Sequence, residues 1–138
     1  MRGDHDGYGK AVLRDVAGTA FDEFGSARRF TFGNCRGWGD IDGVVADDIA
    51  VEIESRNSKQ VRGAVLDLMW HPYPKKLLVL LPSGAMSKPC ADQCRYIFSR
   101  YLKPDAYRVV LLSGTGHGGH AADAEIVRAA LGELGFHA

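Results

Sequence analysis

The stretch Asp40-Ile41-Asp42-Gly43-Val44-Val45-Ala46-Asp47-Asp48-Ile49-Ala50-Val51-Glu52-Ile53-Glu54-Ser55-Arg56-Asn57-Ser58-Lys59 decides how this chain folds. Ile41, Val44, Val45, Ile49, Val51 and Ile53 are β-branched, which favours strands, and Ala46-Asp47-Asp48 interrupts them as a turn does. Two short antiparallel strands follow from that pattern. A loop of Ala46 to Asp48 makes the pairing symmetric about Asp47, setting Asp42 opposite Glu52 and Asp40 opposite Glu54. A two- or four-residue loop would change the parity and send Asp42 and Glu52 to opposite faces.

Four carboxylates on one face of a ribbon repel each other and raise each other's pKa, unless a cation neutralises them. Mg²⁺, with Mn²⁺ as its substitute, suits such a site, because hard divalent ions prefer carboxylate oxygens. Mg²⁺ takes one or two from the protein and leaves room for water and a phosphate. The competing reading is a solvated strand face with ordinary turn aspartates at Asp47 and Asp48.

Outward from the hairpin, Ser55-Arg56-Asn57-Ser58 supplies cap residues. Val61, Ala64, Val65, Leu68 and Met69 then recur at helical spacing, so a helix follows the acidic strand at once. Lys59 and Arg62 lie on its opposite face, and a helix start with a lysine beside it can hold a phosphate. Upstream, Val12, Val16, Ala20 and Phe24, with Leu13, Ala17 and Phe21 beside them, predict a first helix running from Gly9 to Gly25. Arg29 to Phe32 alternates as a first strand, and Trp38 reads as an anchor for a strand end rather than a base-stacking platform.

Downstream, His71-Pro72-Tyr73-Pro74 breaks the second helix, and His71 reads as structural. Leu77 to Leu81 is a strand buried on both faces. A third helix covers about Ala91 to Leu102, a final strand Tyr107 to Leu112, and a final helix Ala121 to Leu134. Cys90 and Cys94 stand one helical turn apart without a second pair of ligands in reach, which disfavours zinc. Gly114 to Gly119 satisfies G-X-G-X-X-G between strand and helix, but the second strand that a dinucleotide site needs is missing, so the segment reads as a loop. His117 and His120 in it have only flexible neighbours to place them on a metal.

Ile41-Asp42, nine residues, then Glu52-Ile53-Glu54 inside an apolar strand with a helix straight after it resembles the core of the restriction-endonuclease-like nucleases, the PD-(D/E)XK superfamily. The motif is short, and the order of elements from about residue 10 to 113 fits it too. The resemblance implies a three-layer α/β/α fold with a mixed sheet and metal-dependent hydrolysis of DNA phosphodiesters. Asp42 and Glu52 match the family's metal-binding Asp and Glu. Glu54 stands where the motif's lysine belongs, as in a minority of type II restriction enzymes, and no proline precedes Asp42. In other branches the lysine sits on the following helix, where this chain has Lys59. The implied site is therefore Asp42, Glu52, Glu54 and Lys59, the three acids on Mg²⁺. The alternative from another class is a nuclease-like domain without catalysis that binds nucleic acid or protein.

Composition is compatible with both. The 138 residues are enough for one domain, here residues 1–138, and too few for two ordinary ones. Apolar runs fall far short of the roughly 18 residues that a membrane span needs. The polar N-terminal residues lack the apolar core of a signal peptide, and the three cysteines suit a reducing compartment, so the expectation is cytoplasmic. The net charge of zero hides an asymmetry: residues 1–55 hold six Lys or Arg against eleven Asp or Glu, whereas residues 56–108 hold ten against three. A basic middle beside an acidic hairpin suits a phosphate backbone, although basic side chains also solvate exposed helix faces. With little chain left over for reading sequence, site recognition implies a homodimer or a protein partner.

Overall fold

The computed structural model describes residues 2–55, 58–82, 84–114 and 120–138, with backbone alone for residues 2–6, 58 and 59. The acidic hairpin lies inside the main sheet. The elements run α1 (Arg2–Ala17), β1 (Phe21–Asp22), β2 (Arg29–Thr31), β3 (Trp38–Asp40), β4 (Gly43–Val45), β5 (Ile49–Glu54), α2 (Ser58–Trp70), β6 (Lys75–Leu80), α3 (Ser87–Tyr101), β7 (Tyr107–Leu111) and α4 (His120–Glu133), with short 3₁₀ turns between some of them. Five strands form one mixed sheet in the order β1-β4-β5-β6-β7. β1, β4 and β5 pair antiparallel, while β5, β6 and β7 pair parallel. The chain is therefore α/β with a mixed sheet.

Alternation along β5 explains the layers. Ile49, Val51 and Ile53 pack with Val12, Leu13 and Val16 of α1 and Val127 and Leu131 of α4. Ala50 packs on the other face with Val61, Val65 and Leu68 of α2 and Cys94 and Phe98 of α3. Glu52 and Glu54 share the face of Ala50, by the two-residue period of a strand. All six residues of β5 are buried, both acids included. At about 25 cal/mol per Å² of apolar surface, the two clusters supply the main stabilisation against chain entropy.

Two sequence expectations are corrected. The first helix does not run to Phe24: it ends at Ala17, because Gly18 adopts φ +58° and turns the chain. Phe21 and Asp22 then pair with Val45 and Val44 as an edge strand, which takes Phe21 off any helical face. The strand at Arg29 does not join the meander either. It pairs with Trp38–Asp40 in a separate two-stranded ribbon, and with Asp40 opposite Arg29 the four-acid face reduces to fewer members.

The hairpin turn has the expected length. Val45 faces Ile49, Val44 faces Ala50 and Gly43 faces Val51. Asp48 N–H donates to the Val45 carbonyl at 3.1 Å, and Ala46 and Asp47 have φ of 55° and 53°. Two consecutive left-handed residues reverse the chain, and Asp48 completes the three-residue loop. Gly43 is needed where it stands: a Cβ there would run into the Phe21 ring and sit 3.0 Å from the Asp22 carbonyl oxygen. Among the described residues, no helix is long and apolar enough to cross a membrane.

Candidate active site

Asp42 precedes the first residue of β4, and the register that pairs Gly43 with Val51 brings it level with Glu52. The two carboxylates are tied by reciprocal bonds. Asp42 N–H donates to Glu52 Oε1 at 2.9 Å, and Ile53 N–H donates to Asp42 Oδ2 at 2.7 Å. Each acid thus holds the other's strand by a backbone donor, and the pair locks the open end of the hairpin.

Burial raises the Glu52 pKa far above the carboxylate range, and the neighbouring charge of Asp42 and a side-chain hydrogen bond with it push the same way. The Asp42 N–H bond opposes them, and Asp67 adds a smaller repulsion. Two acids this close cannot both keep a bare negative charge, so they share a proton or a cation. Among the described residues, no lysine or arginine forms an ion pair with either of them. The donor set also suits a hard divalent ion, for which two carboxylates plus water are a sufficient protein contribution.

Glu54 stands two residues further along β5 and is buried. Its Oε1 accepts the Ser55 N–H at 3.1 Å, and its backbone carbonyl accepts Leu81 N–H at 3.0 Å. It marks the carboxyl end of the parallel strands, where β5 meets the start of α2. Among the described residues, no three His, Cys, Asp or Glu side chains converge as a ready metal cage. Asp42 and Glu52 are brought together, and Glu54 lies beyond them on the same face. Lys59 belongs to the first turn of α2, but its side chain, like Arg56, lies outside the described residues. Asp40 is drawn away from the carboxylates into its pair with Arg29, at 3.3 Å.

Sequence reasoning missed three polar groups, one half-buried and two buried. Asp67 on α2 reaches Glu52 electrostatically, and burial raises its own pKa. Its signal was weak, an acid between the apolar Val65 and Leu68. Lys76 is buried on β6 and donates to the His71 carbonyl at 2.6 Å, and burial lowers its pKa to about 8. His71 itself is buried and structural: Tyr73 N–H donates to Nδ1 at 3.2 Å, which leaves the proton on Nε2 to donate to Ala27 O at 2.7 Å.

Asp123 is the third. Fully buried in the first turn of α4, it accepts from Tyr8 Oη at 2.6 Å, from Ser113 N and Oγ at 2.8 Å each, and from Gly114 N at 3.1 Å. Burial pushes its pKa up, yet the bonds from Ser113, Tyr8 and Gly114 together hold it below the usual value. Its carboxylate already takes the Ser113 and Gly114 N–H groups that an anion would otherwise use. Residues 115–119, His117 among them, lie outside the described residues, and His120 is engaged with Asp15 at 3.4 Å and edge-on to Tyr8. Cys90 and Cys94 are buried, and burial, reinforced by Cys90, pushes the Cys94 thiol up to about 12, so it stays protonated. Compared with known protein families, curated proteins and solved structures, the chain matches none.

Proposed function

We propose that the chain is a restriction-endonuclease-like nuclease that hydrolyses DNA phosphodiesters with Mg²⁺, or Mn²⁺ in its place. The reading is carried by the mutually bonded pair of half-buried Asp42 and buried Glu52, near the carboxyl end of the parallel strands. The helix, three antiparallel strands, helix, parallel strand order of the main sheet supports it. Asp42 and Glu52 would hold the ion through the oxygens not committed to backbone N–H groups. The ion, when bound, supplies an activated water and neutralises charge on the phosphoryl oxygens.

The residues of this chain do the rest. Asp42 and Glu52 keep each other's geometry through the crossed N–H bonds, so the acids are placed before a ligand arrives. Glu54, two residues along the same face, orients a water or completes the acid set. Lys59, in the first turn of α2, provides the cation that the motif otherwise carries at position 54. Recognition of a particular site falls to a second copy or a protein partner. The alternative, a nuclease-like module that only binds, is favoured by the acid at position 54.

Plasmid cleavage with Mg²⁺ or Mn²⁺ separates the two. The parent should nick DNA and Asp42→Asn should not. Lys59→Ala should fold normally and cleave about 10²-fold more slowly, the usual weight of one electrostatic donor. A parent that leaves DNA intact with either ion returns the chain to the binding-module reading.

A further inference from the structure

The ribbon β2–β3 lies directly upstream of the acid pair and is not used by the chemistry. From Arg28 to Asp40 it holds three arginines and one acid, Asp40, which is ion-paired with Arg29. Its two faces differ. On the inner face Phe30 is buried across Gly39, where a Cβ would collide with the ring, and it meets Phe32 and His71 edge-on at 5.3 and 5.9 Å. Trp70 of α2 clamps it from behind, donating Nε1–H to Thr31 O at 2.7 Å and stacking on Phe32.

The outer face is exposed. Trp38 is 59 % accessible, with the Arg29 guanidinium 4.5 Å from the centre of its ring. The turn between the strands, including Arg36, is exposed as well. At the base, Ile41 N–H donates to Arg28 O at 3.1 Å, so the ribbon leaves the sheet one residue before Asp42. Trp38 is thus four residues, at most about 13 Å of extended chain, from the acid pair. An indole stiffened by its backbone and backed by an arginine is a stacking platform, and such a ring can stack only on a base that is not already paired and stacked.

Building on the nuclease reading, we propose that this ribbon is the DNA contact, that Trp38, backed by Arg29, stacks an unpaired base beside the scissile phosphate, and that Arg36 holds the flanking backbone. The substrate class is then DNA with a single-stranded segment at the cleavage point. This revises the sequence reading of Trp38 as a strand-end anchor, since the anchoring is done by Phe30 and Trp70.

The test measures binding of the full chain to a labelled single-stranded oligonucleotide and to the blunt duplex of the same sequence, with Ca²⁺ in place of Mg²⁺. The parent should prefer the single strand. Trp38→Ala should lose roughly 5- to 150-fold on it, the fold-change equivalent of the about 1–3 kcal/mol of one base stack, while Trp38→Phe keeps most of the affinity. Arg36→Ala should lower the slope of log affinity against log salt by about 0.7 on the single strand. Circular dichroism should be unchanged in all three. Parent-like binding by Trp38→Ala and Arg36→Ala, or equal binding of both DNAs by the parent, overturns the ribbon contact. If cleavage still depends on Asp42 in that case, the nuclease reading survives it. Loss of binding in Trp38→Ala from a parent that never cleaves keeps the ribbon and removes the nuclease.

Discussion

At the scale of single residues, the chain keeps titratable groups in places where water is scarce. Glu52 is the sharpest case, because its raised pKa gives the native state a proton that the unfolded chain releases at ordinary carboxylate pH. The sign follows directly: between the unfolded pKa of about 4.3 and the raised native value, the folded state binds more protons, so stability falls as pH rises. One proton limits the slope to about 1.4 kcal/mol per pH unit. Urea titrations from pH 5 to 8 should show the parent losing stability relative to Glu52→Gln, whose curve lacks this component. Parallel curves for the two would mean that the folded state does not raise the Glu52 pKa. Lys76 works in the opposite sense: with a folded pKa of about 8, its burial penalty is full below pH 8 and fades as pH rises towards 10.5.

At the scale of elements, the joints are made by polar side chains buried at the ends of strands and helices. α4 is fastened to β7 and α1 through Asp123, which collects the Tyr8 hydroxyl and the Ser113 and Gly114 donors. Tyr8 responds: burial, then the Asp123 hydrogen bond and charge, raise its pKa to about 12. Asp123→Ala would strand several donors in a dry site and should cost about 3 kcal/mol or more in urea unfolding. A loss under about 1 kcal/mol would mean that water reaches those donors. The ends of the hairpin show the same construction, with Asp42 and Glu52 taking backbone N–H groups where the β4–β5 ladder stops.

At the scale of the whole molecule, the basic middle of the chain is smaller than its composition suggests. Lys76 is buried, Lys75 pairs with Asp48, Arg95 with Asp92, and Arg108 with Glu133. What remains free for a polyanion is narrower, and among the described residues neither Asp42 nor Glu52 has a lysine or arginine partner. A divalent ion that binds only the folded acids should therefore stabilise the whole fold, by about 2.7 kcal/mol when its concentration is a hundred times Kd. Melting curves should shift upward with Mn²⁺ in the parent and not in Asp42→Asn. An unshifted parent at millimolar Mn²⁺ would remove the metal from the proposal.

The parts of this protein that the sequence determined by itself are those governed by short-range periodicity. A two-residue alternation and a three-residue turn put Asp42 level with Glu52. The 3.6-residue spacing after Ser58 marked α2, and the unbroken apolar run after Lys76 marked a strand buried on both faces. Tertiary structure alone decided what depends on distant partners. Phe21 became an edge strand because Val45 lay beside it after Gly18 turned the chain. Arg29 to Thr31 left the meander because Trp38 to Asp40 paired with it and Trp70 held it from behind. Asp123 looked like any first-turn acid until Tyr8, 115 residues away, supplied its hydroxyl. A local pattern fixes which face a side chain occupies, but whether that face is wet, and which charge it meets there, is settled only when distant elements pack against it.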